Sequence, residues 1–232
     1  MIAIRVIIEV IIFIYMMGLS IGLRKQKIKK TQRIKMIRIF LTIMFLVVVP
    51  YSACIPVENF FITFKTPEQA FKCENWLMPK GEIQDIIYGE DSCFVIIKKK
   101  EKKGCVSFDS ECYKKVSNGY KFVGSFDVGA ENISGMGDIL WHVNGTKDYY
   151  LSGDKWSDNA EDTIEVSDNL GTQFIQERGK IDEYRDVKIY THEYYGYVYD
   201  MTEQYEIYVD GKNYKPTFEY KYSQVLTRLF VV

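Results

Sequence analysis

The apolar positions divide the chain into two regimes. Up to residue 57 they form two nearly unbroken runs, 2–23 and 39–57, separated by the segment 24–38 (RKQKIKKTQRIKMIR), which holds eight Lys or Arg and no acid. The second run is 19 residues long without a charge; as a helix it covers roughly 28 Å, close to a hydrocarbon core. The first run carries Arg5 and Glu9 at the end away from the basic segment, four apart and therefore on one helix face. Lys and Arg in short loops stay on the cytoplasmic side. The pattern predicts a transmembrane helical hairpin in residues 1–57, with helices at about 3–22 and 33–52 joined by the basic cytoplasmic loop 24–38. The chain is thereby expected at a cell membrane, with its C-terminal part outside the cytoplasm.

Beyond residue 57 the apolar positions come in short alternating runs punctuated by turn residues, the pattern of a mainly-β ectodomain. One helix is expected first: Thr66-Pro67-Glu68-Gln69 places Thr at an N-cap, Pro at the first helical position and Gln three residues on, ahead of Ala70, Phe71 and Cys73. Strands are predicted at 83–88, 93–98, 104–108 and 120–126, with turns at Gly89-Glu90-Asp91 and Asn118-Gly119. Residues 128–137 (VGAENISGMG) are poor in large apolar groups and read as a linker. Further strands are expected at 139–143, 148–151, 163–166, 172–176, 187–199 and 203–209, with Asp210-Gly211 turning the chain toward Tyr214. The layout is a small α+β unit over 60–127, then an immunoglobulin-like β-sandwich over 138–222, then a tail over 223–232.

Composition supports strands and sharpens the division. Tyr, Ile, Val and Phe are abundant. Residues 1–50 carry nine basic groups and one acid; the whole chain is −1, so 51–232 carries −9. An acidic β unit argues against nucleic acid as a partner. The run at 98–103 reads as a solvated hairpin tip rather than a polyanion site.

Thr66-Pro67-Glu68-Gln69-Ala70-Phe71, and more loosely Ile164-Glu165-Val166-Ser167-Asp168, resemble segments of uncharacterised membrane-anchored extracytoplasmic proteins of Gram-positive bacteria. The resemblance implies a location, not an activity.

Candidate chemistry is sparse. Four of the five cysteines, Cys73, Cys93, Cys105 and Cys112, fall within 40 residues; Cys105 and Cys112 form the most local candidate disulfide. The other reading keeps them as small buried thiols. Tyr51-Ser52-Ala53-Cys54 has the outline of a lipidation motif, which makes a lipoprotein tethered at Cys54 the alternative anchor. No cysteine or histidine spacing fits a metal, and no cofactor is expected. His142 and His192 are isolated, and an envelope enzyme would need a site around one of them. The piece 158–162 (DNAED) lacks the spacing of a calcium loop. Residues 181–232 hold eleven Tyr, of which Tyr195, Tyr197 and Tyr199 share one strand face and form the candidate binding face. Function is therefore expected through binding of a cell-envelope protein or polymer, or sensing, and not through catalysis.

Overall fold

The structure is a computed structural model and describes residues 3–25, 29, 31–54, 56–76, 79–101, 104–124, 128–132, 139–184 and 187–215. The tail at 223–232 and the second half of the expected linker lie outside the described residues. The chain divides into two compact units, Met1–Ile62 and Thr63–Val232.

The first unit contains helices α1 (Ala3–Arg24) and α2 (Gln32–Cys54) and a 3-10 turn, Val57–Phe60. The expected transmembrane hairpin is corrected here: among the described residues, no helix is long and apolar enough to cross a membrane. The charges and the helix ends supply the reason. Between Glu9 and Arg24, α1 has only the uncharged stretch 10–23, about 21 Å at 1.5 Å per residue. Arg33, Lys35 and Arg38 occupy the first two turns of α2, which ends at Cys54, so its uncharged part, 39–54, is about 24 Å. A hydrocarbon core needs about 30 Å. The lipidation reading rests on the Cys54 side chain, which is outside the described residues.

The second unit opens with α3 (Pro67–Asn75). Thr66 is extended at the N-cap, Pro67 supplies the preset φ of the first turn, and Gln69 Oε1 accepts the Lys65 N–H at 3.1 Å. Ala70 and Phe71 are buried. Among the described residues twelve strands follow: β1 (Glu82–Tyr88), β2 (Ser92–Lys100), β3 (Val106–Val116), β4 (Gly119–Phe122), β5 (Val128–Asn132), β6 (Ile139–Val143), β7 (Asp148–Ser157), β8 (Val166–Asp168), β9 (Ile175–Tyr184), β10 (Val187–Tyr199), β11 (Ile207–Val209) and β12 (Lys212–Tyr214). All described pairings are antiparallel. The Asp210-Gly211 loop between β11 and β12 has positive φ at both residues (47° and 75°), the two-residue turn whose twist matches the flanking strands.

Nine strands form one sheet in the order β1-β2-β3-β9-β10-β7-β6-β5, with β4 on β3; β12-β11-β8 form a second. Packing shows that the long sheet faces itself. Phe94 of β2 stacks on Tyr150 of β7 (centroids 5.2 Å, 18° between planes) and lies 6.1 Å from Tyr195 of β10 and 6.3 Å from Trp141 of β6. With Ile96, Val123 and Val143 these rings make one core. Alternation sends Leu140, Leu151, Tyr194 and Val198 to the opposite face of β6, β7 and β10, where they meet Ile207 and Val209 of β11 in a second core. The layer β6–β7–β10 is thus covered on both faces.

This architecture differs from the expected pair of domains. The immunoglobulin-like sandwich is corrected: the facing layers come from both expected domains, and 128–132, expected as linker, is the strand β5 paired along its length with β6. Among the described residues, the ladder of the sheet is continuous between the two halves through a single residue pair, Val106 on β3 with Lys180 on β9. Gly179 permits that seam, because a Cβ there would stand 2.3 Å from Thr191 Oγ1 and 2.7 Å from the Val106 carbonyl oxygen. At the sheet's edge, β1 carries a register shift between Ile83 and Asp85.

Gly179→Ala is expected to destabilise the β unit by about 1–3 kcal/mol, since one neighbour is backbone and cannot swing away. Denaturant unfolding of the full chain measures this; unchanged stability would show that the seam has slack.

Candidate binding face

Register assembles a strip of chemistry on the inner face of the self-facing sheet. Along β7 that face carries Asp148, Tyr150, Ser152, Asp154 and Trp156; along β10 it carries Tyr197, Tyr195, Glu193 and Thr191 opposite them. On β9, Glu177 stands opposite Glu193. The two ends of the strip are chemically different.

One end is closed by Asp148, which is fully buried. Its carboxylate accepts hydrogen bonds from Ser92 Oγ (2.6 Å), Tyr197 Oη (2.8 Å), the Asp91 N–H (2.9 Å) and the Glu90 N–H (3.1 Å). Tyr150 Oη lies 2.9 Å from Ser92 Oγ and extends the network. The β1–β2 turn is thereby tied to the start of β7. Gly89 is required in that turn, because a Cβ would come within 2.5 Å of Tyr150 Oη. A buried carboxylate with four donors is a fastening, and every oxygen it could offer a substrate is already engaged.

The other end is acidic and partly exposed: Asp154 is exposed, while Glu177 and Glu193 are half-buried. Glu177, Glu193 and Asp154 form a row across β9, β10 and β7, each directly opposite the next. Like charges in that arrangement repel. Burial pushes the Glu193 carboxyl above its usual range, with Asp154 and Glu177 adding to the shift against the opposing hydrogen bond from Tyr195 Oη. Gln84 of β1 reaches over and donates to Glu177 at 3.0 Å. Trp156 ends the strip, 65% exposed, with its indole N–H held by Asp154.

The residues singled out from sequence are distributed differently. Tyr195 is buried in the core, Tyr197 is half-buried on Asp148, and Tyr199 is exposed beside Lys147, whose ammonium lies 5.8 Å from its ring centroid. The three share a face, but that face is largely interior. Cys105 and Cys112 are free thiols. The candidate disulfide is corrected: Cys105 immediately precedes β3 and Cys112 lies seven residues along the same extended chain, about 23 Å at 3.3 Å per residue, whereas a disulfide tolerates under 7 Å between Cα atoms. His142 stacks on Tyr149 (4.4 Å) with Nε2 at 3.2 Å from the Thr146 carbonyl. His192 is buried, its Nε2 3.3 Å from the Asn159 carbonyl. Neither ring pairs with a nucleophile in these contacts. In the 158–162 loop, Asp162 is lowered by the Ser157 hydroxyl that bonds it, with Asn159 as a further donor. Among the described residues no group of His, Cys, Asp or Glu is arranged to hold a metal ion.

Asp148, Asp154, Trp156, Glu177 and Glu193 were not singled out from sequence. Trp156 had a signal: the alternation of β7 continues past Leu151 through Gly153 and Lys155 to Ser157, which sends Asp154 and Trp156 to the face of Tyr150. No family model, curated protein or solved structure matches the chain.

Asp148→Ala is expected to cost about 3–5 kcal/mol, because it strands buried donors, and Asp148→Asn about half as much, since the amide oxygen still accepts. Denaturant titration of both variants checks the ranking; equal small losses would show that water replaces the carboxylate.

Proposed function

We propose that this chain is a binding protein rather than an enzyme, and that the acidic end of the inner face takes a basic segment of a partner protein. The observation that carries the reading is Trp156, two-thirds exposed yet tied by its N–H to Asp154, at the end of the carboxylate row Asp154, Glu193 and Glu177. A tethered indole is pre-oriented, and its ring offers a cation a π face while the carboxylates offer charge. Lysine and arginine suit this combination, with apolar stems for the ring and charged ends for the acids. A partner's cation would also relieve the repulsion within the row.

Charge acts at longer range in the same sense. Thr63–Val232 holds 21 Lys or Arg against 29 Asp or Glu, a net of −8. Such a field speeds encounter with a basic partner and weakens as salt screens it.

A Lys/Arg-rich peptide titrated into the full chain tests the reading by calorimetry. Trp156→Ala is expected to weaken binding about tenfold, and Asp154→Asn with Glu193→Gln to weaken it further while flattening its salt dependence. Binding that ignores both changes overturns the proposal. Loss of binding to an uncharged polysaccharide, but not to the peptide, in Trp156→Ala would replace the basic partner with a polymer.

A further inference from the structure

Neither α1 nor α2 is long and apolar enough to cross a membrane, yet neither hides its apolar residues from water. Between residues 7 and 21, every exposed residue described on α1 is uncharged, and all but Gly18 are large and apolar. At 3.6 residues per turn they sweep about 200° of the helix surface. The pattern continues on α2, where Phe40 and Leu46 leave 61% and 65% of their surface uncovered. Single exposed apolar residues are ordinary, but a contiguous face of them marks a surface that something apolar covers.

Charge narrows what that is. Arg24, Lys25, Lys29, Arg33, Lys35 and Arg38 are all exposed, and residues 10–57 contain no Asp or Glu. These cations cluster where α1 ends and α2 begins, so the helix pair has a basic end and an apolar face. At the junction of the two, a cleft of about 310 Å³ opens between the helices. Leu23, Ile34, Ile39 and Ile43 give it apolar walls, and Lys35 and Arg38 line it as well. The Thr42 hydroxyl, also in the lining, donates to the Arg38 carbonyl at 2.9 Å, which leaves the ammonium and the guanidinium as the side-chain donors a ligand would meet.

The occupant must therefore be apolar over most of its contact and anionic at one end. A second copy's helix pair answers the apolar face but not the charge, because it brings the same cations and no acid. A bilayer containing anionic phospholipid answers both, with acyl chains for the apolar face and phosphates for the cations.

We propose that the helix pair lies in the surface of an anionic phospholipid bilayer without crossing it, and that the α1–α2 cleft seats one lipid with its phosphate on Lys35 and Arg38. A helix lying in the interface sinks its apolar side about 5–10 Å and needs no match to the hydrocarbon thickness. Lysine and arginine stems rest on the apolar layer while their charged ends reach the headgroups. The site belongs to the helical unit and does not depend on the acidic strip of the β unit.

Flotation of the full chain with vesicles tests this. Binding to phosphatidylcholine mixed with phosphatidylglycerol is expected to exceed binding to phosphatidylcholine alone by about tenfold or more. Lys35→Gln with Arg38→Gln, both at exposed positions, is expected to weaken binding to the mixed vesicles about thirtyfold and to leave binding to phosphatidylcholine unchanged. Leu46→Ser is expected to weaken both. Equal binding to the two vesicle types, or mixed-vesicle binding that ignores the double variant, overturns the proposal. So does a failure to float with either; a dimer formed without lipid and dispersed by Leu46→Ser would then put a second copy on this face. Depth is the independent check. Quenching of the indole introduced by Leu46→Trp is expected from lipids brominated close to the headgroup, whereas quenching from lipids brominated at the chain ends would place it at the bilayer centre and refute the in-plane position.

Discussion

The stack of Phe94 on Tyr150 is the contact on which the β unit turns. It joins residues 56 positions apart and brings β2 over β7, so that one sheet serves as two layers. Around it Trp141, Tyr195 and Val143 fill one core, while the reverse face of the same middle layer fills another against β8 and β11. A layer covered on both sides leaves no free face for side chains to choose. Polar groups on it must be satisfied where they stand or emerge at its ends, and the inner face does both: Asp148 is saturated at one end, and Asp154 and Trp156 emerge at the other.

That double burial also governs what could be read from the chain. β6 and β10 lie where alternation and turn residues put them, and α3 where its Thr-Pro start put it. Alternation assigns residues to opposite faces but not to inside and outside. Leu140 and Trp141 point to opposite sides of β6, yet Leu140 lies in one core and Trp141 packs half-buried against the other. For the same reason Tyr195 and Tyr197 read as a surface and lie mostly inside.

Long-range pairing was the other gap. The seam between Val106 and Lys180 spans 74 residues and depends on Gly179, which in sequence is an unremarkable glycine within a charged strand. Without that pair the chain reads as two domains. The N-terminal runs failed differently: hydropathy counted apolar residues over 39–57, but the helix ends at Cys54 and its first turns are charged. The candidate site itself was nearly illegible, because Asp154, Glu193 and Glu177 come from three strands and become neighbours only through register.

The shifted register of β1 has a consequence for the molecule among its own copies. β1 is an outer strand of a nine-stranded sheet, the place where a flat ladder invites another chain to add itself. The irregularity between Ile83 and Asp85 breaks the flatness, and the Asp85 carboxylate takes the Ile86 N–H at 2.7 Å, so that donor is not free for a newcomer. Gln84 leans away to Glu177, and Glu82 places a charge at the strand's start. A chain with this many β-branched and aromatic residues keeps its sheet finite by spoiling the template at its rim.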